Sequence, residues 1–250
     1  MKFIDNIKAD WQKVKDKSRK EKWEFFWDYY KIPAICIVLV IVLVVQGCFS
    51  STSQKQVVFS GFALNCKINM DEDSFWNGFY EVAGIDAETQ TAGCSSDMQI
   101  VEGQNQMNSE AIQKIIASCY AKDADFVIGE PYAFRTCAYT SQEIFTDLGD
   151  ILDAETLTKY ADRLYYIDKA IIDVLNSPVG EQVEPNALEY PKDPKKPETM
   201  KKPIPVGIDV SHREDLRNAY YLSDEPLYVG ILISTPRPEL SKQFLEYLLK

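Results

Sequence analysis

The chain has 250 residues, of which 46% are hydrophobic and 26% are charged, and its formal net charge is −11. These proportions suit a folded protein, and the excess of acidic residues excludes a generally basic, nucleic-acid-binding protein. A single histidine leaves little room for a Ser-His-Asp triad or for a zinc site with histidine ligands.

The first predicted element is a basic amphipathic helix over residues 1–31. This segment carries nine Lys and Arg against six Asp and Glu, a net charge of +3. Such a helix either rests on an anionic inner leaflet or docks on a cytoplasmic or membrane partner, and the interspersed acidic residues favour the first interpretation. Its apolar residues recur at steps of three and four: Phe3, Ile4, Ile7, Trp11 and Val14.

The second predicted element is a single transmembrane helix over residues 32–49. This run contains no charged residue and is almost entirely branched aliphatic. As a helix it covers about 27 Å, close to the thickness of the hydrocarbon core of a bilayer. The residues before it are of the kind that settles at the headgroup level: Trp23, Phe25, Phe26, Trp27, Tyr29, Tyr30 and Lys31. A tether over residues 50–55 follows.

The charge on the two sides of this run predicts its orientation. Residues 49–250 carry eighteen Lys and Arg against thirty-two Asp and Glu, a net charge of −14. The positive-inside rule therefore places the N-terminus in the cytoplasm and residues 56–250 outside the cell membrane. The alternative is a cleaved bacterial lipoprotein leader, because residues 45–48 resemble a cleavage box in which Cys48 carries lipid. Both alternatives anchor the same body to membrane lipid.

Four cysteines lie beyond the apolar run, in a compartment that can be oxidising: Cys66, Cys94, Cys119 and Cys137. Two disulfides among them allow three pairings, between which the sequence does not choose, and free thiols are the alternative. No Cys-x-x-Cys spacing exists and His212 lies far along the chain, so no metal is expected.

Strand and helix patterns alternate in the external part. Because parallel neighbouring strands need crossover connections, this alternation predicts a parallel sheet covered by helices. Residues 56–250 should therefore form an α/β domain of one large or two small lobes. The strands are predicted over residues 56–64, 98–102 and 125–128, and the helices over residues 71–82 and 109–120, with Ser109 as the N-cap.

Residues 190–205 form a loop rich in proline and lysine. The missing amide donors do not suit the interior of a sheet, so the loop should be exposed and partly extended. It could contact acidic envelope polymers, but a mobile connection between two strands is the interpretation we favour.

Three passages resemble the type 2 extracellular solute-binding proteins. Residues 124–130 read Ala-Asp-Phe-Val-Ile-Gly-Glu, and residues 145–152 read Phe-Thr-Asp-Leu-Gly-Asp-Ile-Leu. Residues 225–249 are similar to the returning strand and final helix of that family. The resemblance implies two α/β lobes joined by a hinge, a ligand in the cleft between them, and delivery to a membrane transporter.

In an open α/β sheet, ligands bind in the crevice outside the carboxyl ends of the strands. Asn65 follows the first predicted strand, and Glu130 and Tyr132 follow the third, so these three are the candidate ligand-binding residues. An amide, a carboxylate and a phenol suit a cationic or polar ligand. Structural roles would explain them equally well: turn chemistry for Asn65, a helix-start carboxylate for Glu130 and packing for Tyr132.

No phosphate loop, Gly-x-Ser-x-Gly elbow or His-Glu-x-x-His motif occurs, so we expect neither catalysis nor a cofactor. The sequence predicts a membrane-anchored extracellular binding protein for a small solute or an envelope partner. A structural or assembly scaffold with a degenerate cleft is the alternative, and an envelope-polymer hydrolase is a distant third.

Overall fold

The computed structural model describes residues 18–52, 55–66, 72–102, 110–177, 188–221 and 223–250. Within its first helix, the side chains of residues 25, 26, 29, 30, 33 and 43–52 are not described. The chain divides into two compact units, Met1–Gln54 and Lys55–Lys250.

The first unit contains one long helix, α1, over Arg19–Thr52. It begins in a capping box, because the Ser18 N–H donates to Glu21 Oε2 over 2.9 Å and the Glu21 N–H donates to Ser18 Oγ over 3.4 Å. The helix runs without a break across the predicted boundary between residues 31 and 32. The apolar pattern predicted between Phe3 and Val14 lies outside the described residues.

In the part of the chain that the structure describes, we find no helix that combines the length and the apolar character needed to cross a membrane.

The second unit is built on one six-stranded sheet, which confirms the predicted α/β class. Strands β1, β2 and β3 are parallel, as predicted, but β6 is antiparallel to both of its neighbours and β4 is antiparallel to β5. The prediction of a parallel sheet is therefore wrong for three of the five strand pairings. In the order β2-β1-β3-β6-β5-β4, the strands are Gln90–Ser95, Gln56–Ala63, Phe126–Gly129, Tyr228–Ile231, Pro203–Asp209 and Leu164–Asp168.

Helices cover both faces of this sheet. The helices after α1 are α2 Glu72–Ala83, α3 Glu110–Ala121, α4 Pro131–Ala138, α5 Ala154–Lys159, α6 Lys169–Leu175, α7 Glu214–Tyr220 and α8 Pro238–Leu249. Buried residues of α2, α7 and α8 pack on one face, which we call the aromatic face, and those of α3, α4 and α6 pack on the other, the opposite face. The strands supply both faces by alternation, since Phe126 and Ile128 point to the aromatic face and Val127 to the opposite one.

Phe244 of α8 lies at the centre of the aromatic face. Its ring centroid is 4.7 Å from that of Phe126 and 5.1 Å from those of Phe59 and Phe79. The indole of Trp76 stacks on it at 5.9 Å with an interplanar angle of 8°. Since Phe244 is fully buried, this cluster joins the C-terminal helix to strands β1 and β3 and to α2.

The predicted second strand over residues 98–102 is wrong. The strand that pairs with β1 is Gln90–Ser95, whose sequence Gln-Thr-Ala-Gly-Cys-Ser has no apolar run. As an edge strand on which only Ala92 is buried, it needs little hydrophobic surface, so its pattern is weak.

The proline- and lysine-rich segment is more ordered than the sequence predicts. Strand β5 begins at Pro203, so Pro203 and Pro205 are part of the sheet. They lie in the stretch of β5 that pairs with β4 alone, where a missing N–H donor is tolerated. Asp168, at the end of β4, accepts hydrogen bonds from the N–H groups of Lys201 and Lys202, both over 2.9 Å. The ammonium groups of Lys195 and Lys202 pair with Asp209 and Asp173, at 2.6 and 2.5 Å.

Candidate functional site

The carboxyl ends of β1 and β3 lie side by side, and Asn65 and Glu130 follow them directly. The Leu64 N–H donates to the Ile128 carbonyl over 2.8 Å, which brings the two ends together. This is the position where open α/β sheets usually bind ligands. We call this region the carboxyl edge.

Asn65 holds the segment that follows strand β2. Its φ of 58° is left-handed, a conformation that asparagine tolerates better than most residues. Its Oδ1 accepts a hydrogen bond from the Ile100 N–H over 2.7 Å, its Nδ2 donates to the Ile100 carbonyl over 3.1 Å, and its backbone N–H donates to the Met98 carbonyl over 2.9 Å. The side-chain amide of Asn65 thus both donates to and accepts from the backbone of Ile100.

Glu130 precedes helix α4, in which Pro131 occupies the first turn. Its carboxylate does not cap the helix. Instead, Glu130 Oε1 accepts a hydrogen bond from the Ser223 hydroxyl. Because Ser223 lies between α7 and β6, this contact ties the end of β3 to the connection between those two elements.

Tyr132 lies on the first turn of α4. Its ring faces Arg135, whose Cζ is 5.6 Å from the ring centroid. The Tyr132 carbonyl accepts a hydrogen bond from Thr136 Oγ1 over 2.8 Å. The structure therefore brings Asn65 and Glu130 to one edge and gives Tyr132 a separate neighbour.

A buried tyrosine that the sequence analysis did not single out occupies the carboxyl edge. The Tyr221 hydroxyl lies 2.9 Å from the Leu64 carbonyl oxygen and 3.2 Å from that of Ile128, and Tyr221 is 3% exposed. Burial raises its pKa well above the usual value, so the hydroxyl keeps its proton and donates it to these carbonyls. A side chain of the protein itself thus bridges the ends of β1 and β3.

Tyr220, the preceding residue, extends the same arrangement towards α2. Its hydroxyl accepts a hydrogen bond from Trp76 Nε1 over 2.6 Å and donates to Glu72 Oε2 over 3.0 Å. Burial raises the pKa of Tyr220, which keeps the donor in place. Sequence offered only a weak signal, two consecutive tyrosines after an amphipathic helix. We call Glu72, Tyr220, Tyr221, Ser223 and Glu130 the edge network.

Of the four cysteines between residues 55 and 250, Cys94, Cys119 and Cys137 are free thiols in the structure, and the four fall into two groups. Cys66 and Cys94 pack on the aromatic face, and Cys119 and Cys137 pack on the opposite face. Only one of the three pairings, Cys66 with Cys94 and Cys119 with Cys137, keeps both partners on one side of the sheet. Burial raises the pKa of the thiols of Cys94, Cys119 and Cys137, which disfavours the nucleophilic thiolate.

His212, the only histidine, lies beside Arg163. Arg163 Nη1 is 3.1 Å from His212 Nε2, and since a guanidinium only donates, this nitrogen accepts and is unprotonated. Desolvation lowers the pKa of His212, and the positive charges of Arg163 and Arg213 lower it further against the opposing effect of Asp209 and Asp215. The contact is a structural one that depends on a neutral imidazole.

We expect the free energy of unfolding to decrease as the pH falls below about 6.5. The unfolded chain takes up a proton on His212 near its ordinary pKa of 6.5, whereas the folded chain does so only at lower pH. The contribution of His212 to the free energy of unfolding is therefore complete above about pH 6.5. It is lost as the pH falls from that value through the lowered pKa of the folded chain. Urea unfolding at several pH values should show this step for the wild type and not for His212→Gln. The same step in both proteins would contradict the assignment.

Within the described ranges, no group of three or more His, Cys, Asp or Glu side chains could hold a metal ion. No protein-family model matches the chain, and neither a curated protein nor a solved structure matches it. The arrangement of the carboxyl edge and the charge pattern of the sequence are therefore the observations on which a function can be argued.

Proposed function

We propose that this protein is a membrane-anchored, non-catalytic scaffold whose external α/β domain binds an envelope or membrane protein. One observation carries the choice of a scaffold over a small-solute receptor: the edge network fills the carboxyl edge with the chain's own groups. Tyr221 bridges the strand ends, Ile100 engages the amide of Asn65, and Ser223 engages the carboxylate of Glu130. A solute at this position would have to displace these contacts.

The anchor is proposed from the sequence. Residues 32–49 carry no charge, and the charge of +3 before them against −14 after them favours a cytoplasmic N-terminus. Helix α1 runs over Arg19–Thr52, and on it Trp23 and Trp27 stack at 6.1 Å. A lipid on Cys48 after cleavage is the alternative form of the anchor.

Binding of a small solute remains the second candidate, and it has support of its own. Asn65 and Glu130 do lie at one edge of the sheet, as expected for ligand-binding residues after the carboxyl ends of two strands. Strand β6 returns from the C-terminal region to lie antiparallel beside β3, which supports the returning strand expected from that resemblance. A solute that binds the native state must raise the melting temperature, whereas a filled edge predicts no such shift.

Fractionation and surface proteolysis of intact cells test the proposed location. We expect the full chain in the membrane fraction, extractable by detergent and not by salt, and we expect external protease to degrade residues 55–250. A tag placed before residue 18 should be protected until the membrane is permeabilised. A chain that is freely soluble, or an external domain that protease reaches only after permeabilisation, would overturn the proposal. A mature protein that begins at Cys48 would replace the spanning anchor by a lipid one.

A further inference from the structure

Residues 55–250 contain five arginines, and four of them donate hydrogen bonds to acceptors within the domain. Arg163 donates to the Leu249 carbonyl and contacts His212, Arg213 donates to Asp215 and the Tyr247 carbonyl, Arg217 donates to the carbonyls of Ser223 and Glu225, and Arg237 donates to Asp125. Among the described residues, the guanidinium of Arg135 has neither a hydrogen-bond acceptor nor a carboxylate partner. Arg135 thus differs from every other arginine of the domain.

Tyrosine rings surround the Arg135 guanidinium. On helix α4, Tyr132 lies three residues before Arg135, on the same side of the helix, and Tyr139 follows directly after the last residue of the helix. Tyr190 approaches from the segment before β5, and the Arg135 Cζ lies 5.6 Å from the ring centroid of Tyr132 and 5.8 Å from that of Tyr190. The ring of Tyr139 packs edge-on against Tyr190 at 4.8 Å.

This environment surrounds the Arg135 guanidinium with aromatic rings and gives it no counter-ion among the described residues. Arg135 is partly buried, and the aromatic faces attract its positive charge through their quadrupoles. The backbone N–H of Asp168 donates to the Tyr139 hydroxyl. The Asp168 carboxylate does not pair with Arg135, because it accepts hydrogen bonds from the N–H groups of Ala170, Lys201 and Lys202. A partly desolvated charge without a counter-ion is costly, so an anion at this position would be favoured.

We propose that Arg135, held between Tyr132 and Tyr190, binds an oxyanion, a carboxylate or phosphate group, of the molecule that this domain recognises. The guanidinium carries N–H donors in a planar fork, which matches two parallel hydrogen bonds to such a group. The proposal deepens the proposed binding role and rests on it, but it does not depend on the membrane anchor.

Thermal unfolding of the full chain in a neutral detergent tests the site. The probes are sodium acetate and sodium phosphate, each compared with sodium chloride at equal ionic strength. At ten times the dissociation constant, we expect acetate, phosphate or both to raise the melting temperature by about 3 °C or more over chloride. Arg135→Lys keeps the charge and loses the forked geometry, so it should bind about tenfold more weakly. Arg135→Gln should lose the shift.

Arg163→Gln is the matched control. Arg163 also lies over a tyrosine ring, with its Cζ 5.6 Å from the centroid of Tyr160, but its N–H groups already have partners. This variant should keep the full anion shift. No shift in the wild type, or an equal shift in Arg135→Gln, would overturn the proposal, and phosphate binding without acetate binding would restrict it to phosphate groups. Because the measurement uses purified protein, its failure is distinguishable from a failure of the proposed location.

If Arg135→Gln does not fold, the folded Arg135→Lys protein is titrated with acetate and phosphate, and its dissociation constants are compared with those of the wild type. A dissociation constant equal to that of the wild type would then contradict recognition by the guanidinium fork.

Discussion

Replacing Asp125 by alanine is expected to lower the free energy of unfolding of the domain over residues 55–250 by about 3–5 kcal/mol. Asp125 is fully buried at the start of β3. Its carboxylate accepts hydrogen bonds from the Ser60 N–H over 2.8 Å, from Thr235 Oγ1 over 2.6 Å and from Arg237 Nη1 over 2.6 Å. The variant leaves a partly buried guanidinium and a backbone N–H without their acceptor. Urea unfolding of the full chain in detergent measures the change.

Asp97→Ala provides the comparison for this prediction. Asp97 also pairs with a cation, since Lys114 Nζ lies 3.1 Å from Asp97 Oδ2, but the two side chains are 69% and 45% exposed. Water screens this pair, so its loss should cost less than about 1 kcal/mol. Equal losses for the two variants would show that the buried network around Asp125 does not stabilise the domain as the geometry indicates.

Replacing Phe244 by alanine should destabilise the domain by a similar amount, about 3–5 kcal/mol. The fully buried ring contacts Phe59, Phe79, Phe126 and Trp76, and its removal leaves a cavity between α8 and the sheet. Neighbouring aromatic rings are rigid and can fill such a space only partly. Urea unfolding monitored by tryptophan fluorescence reports on it directly, because Trp76 stacks on Phe244.

Tyr120→Ala is the matched aromatic control for Phe244→Ala. Tyr120 lies on α3 and is 81% exposed, so its truncation should change the free energy of unfolding by no more than about 0.5 kcal/mol. A Phe244→Ala protein as stable as the Tyr120→Ala protein would mean that the aromatic face is not the main core of the domain.

Elements with strong hydrophobic patterns could be predicted from the sequence. The apolar run around Phe59 predicts β1. The spacing of Phe75 and Phe79 predicts α2, and that of Ile112 and Ile115 predicts α3, because each pattern follows the period of its own element. The α/β class follows from this alternation. The direction in which the strands pair cannot be predicted in this way, because a strand such as Tyr228–Ile231 has the same pattern whether its neighbour runs parallel or antiparallel.

The rest of the fold and most of the candidate site depend on contacts between distant residues. Tyr221 meets Leu64 and Ile128 across 157 and 93 positions of sequence, and no local pattern specifies such contacts. Asn65 and Glu130 could be placed at the carboxyl edge because each directly follows a recognisable strand. Their hydrogen-bond partners Ile100 and Ser223 could not be predicted.

The place of β6 in the sheet determines when the domain can be completed. This strand follows the other five strands in sequence, yet it lies between β3 and β5 and is the link between the three parallel strands and the β5–β4 pair. A nascent chain that ends before Tyr228 therefore has two separate strand groups with open edges and no Phe244. Folding of the domain must wait until residues 228–231 have been synthesised, and until then the unpaired edges are exposed to other chains.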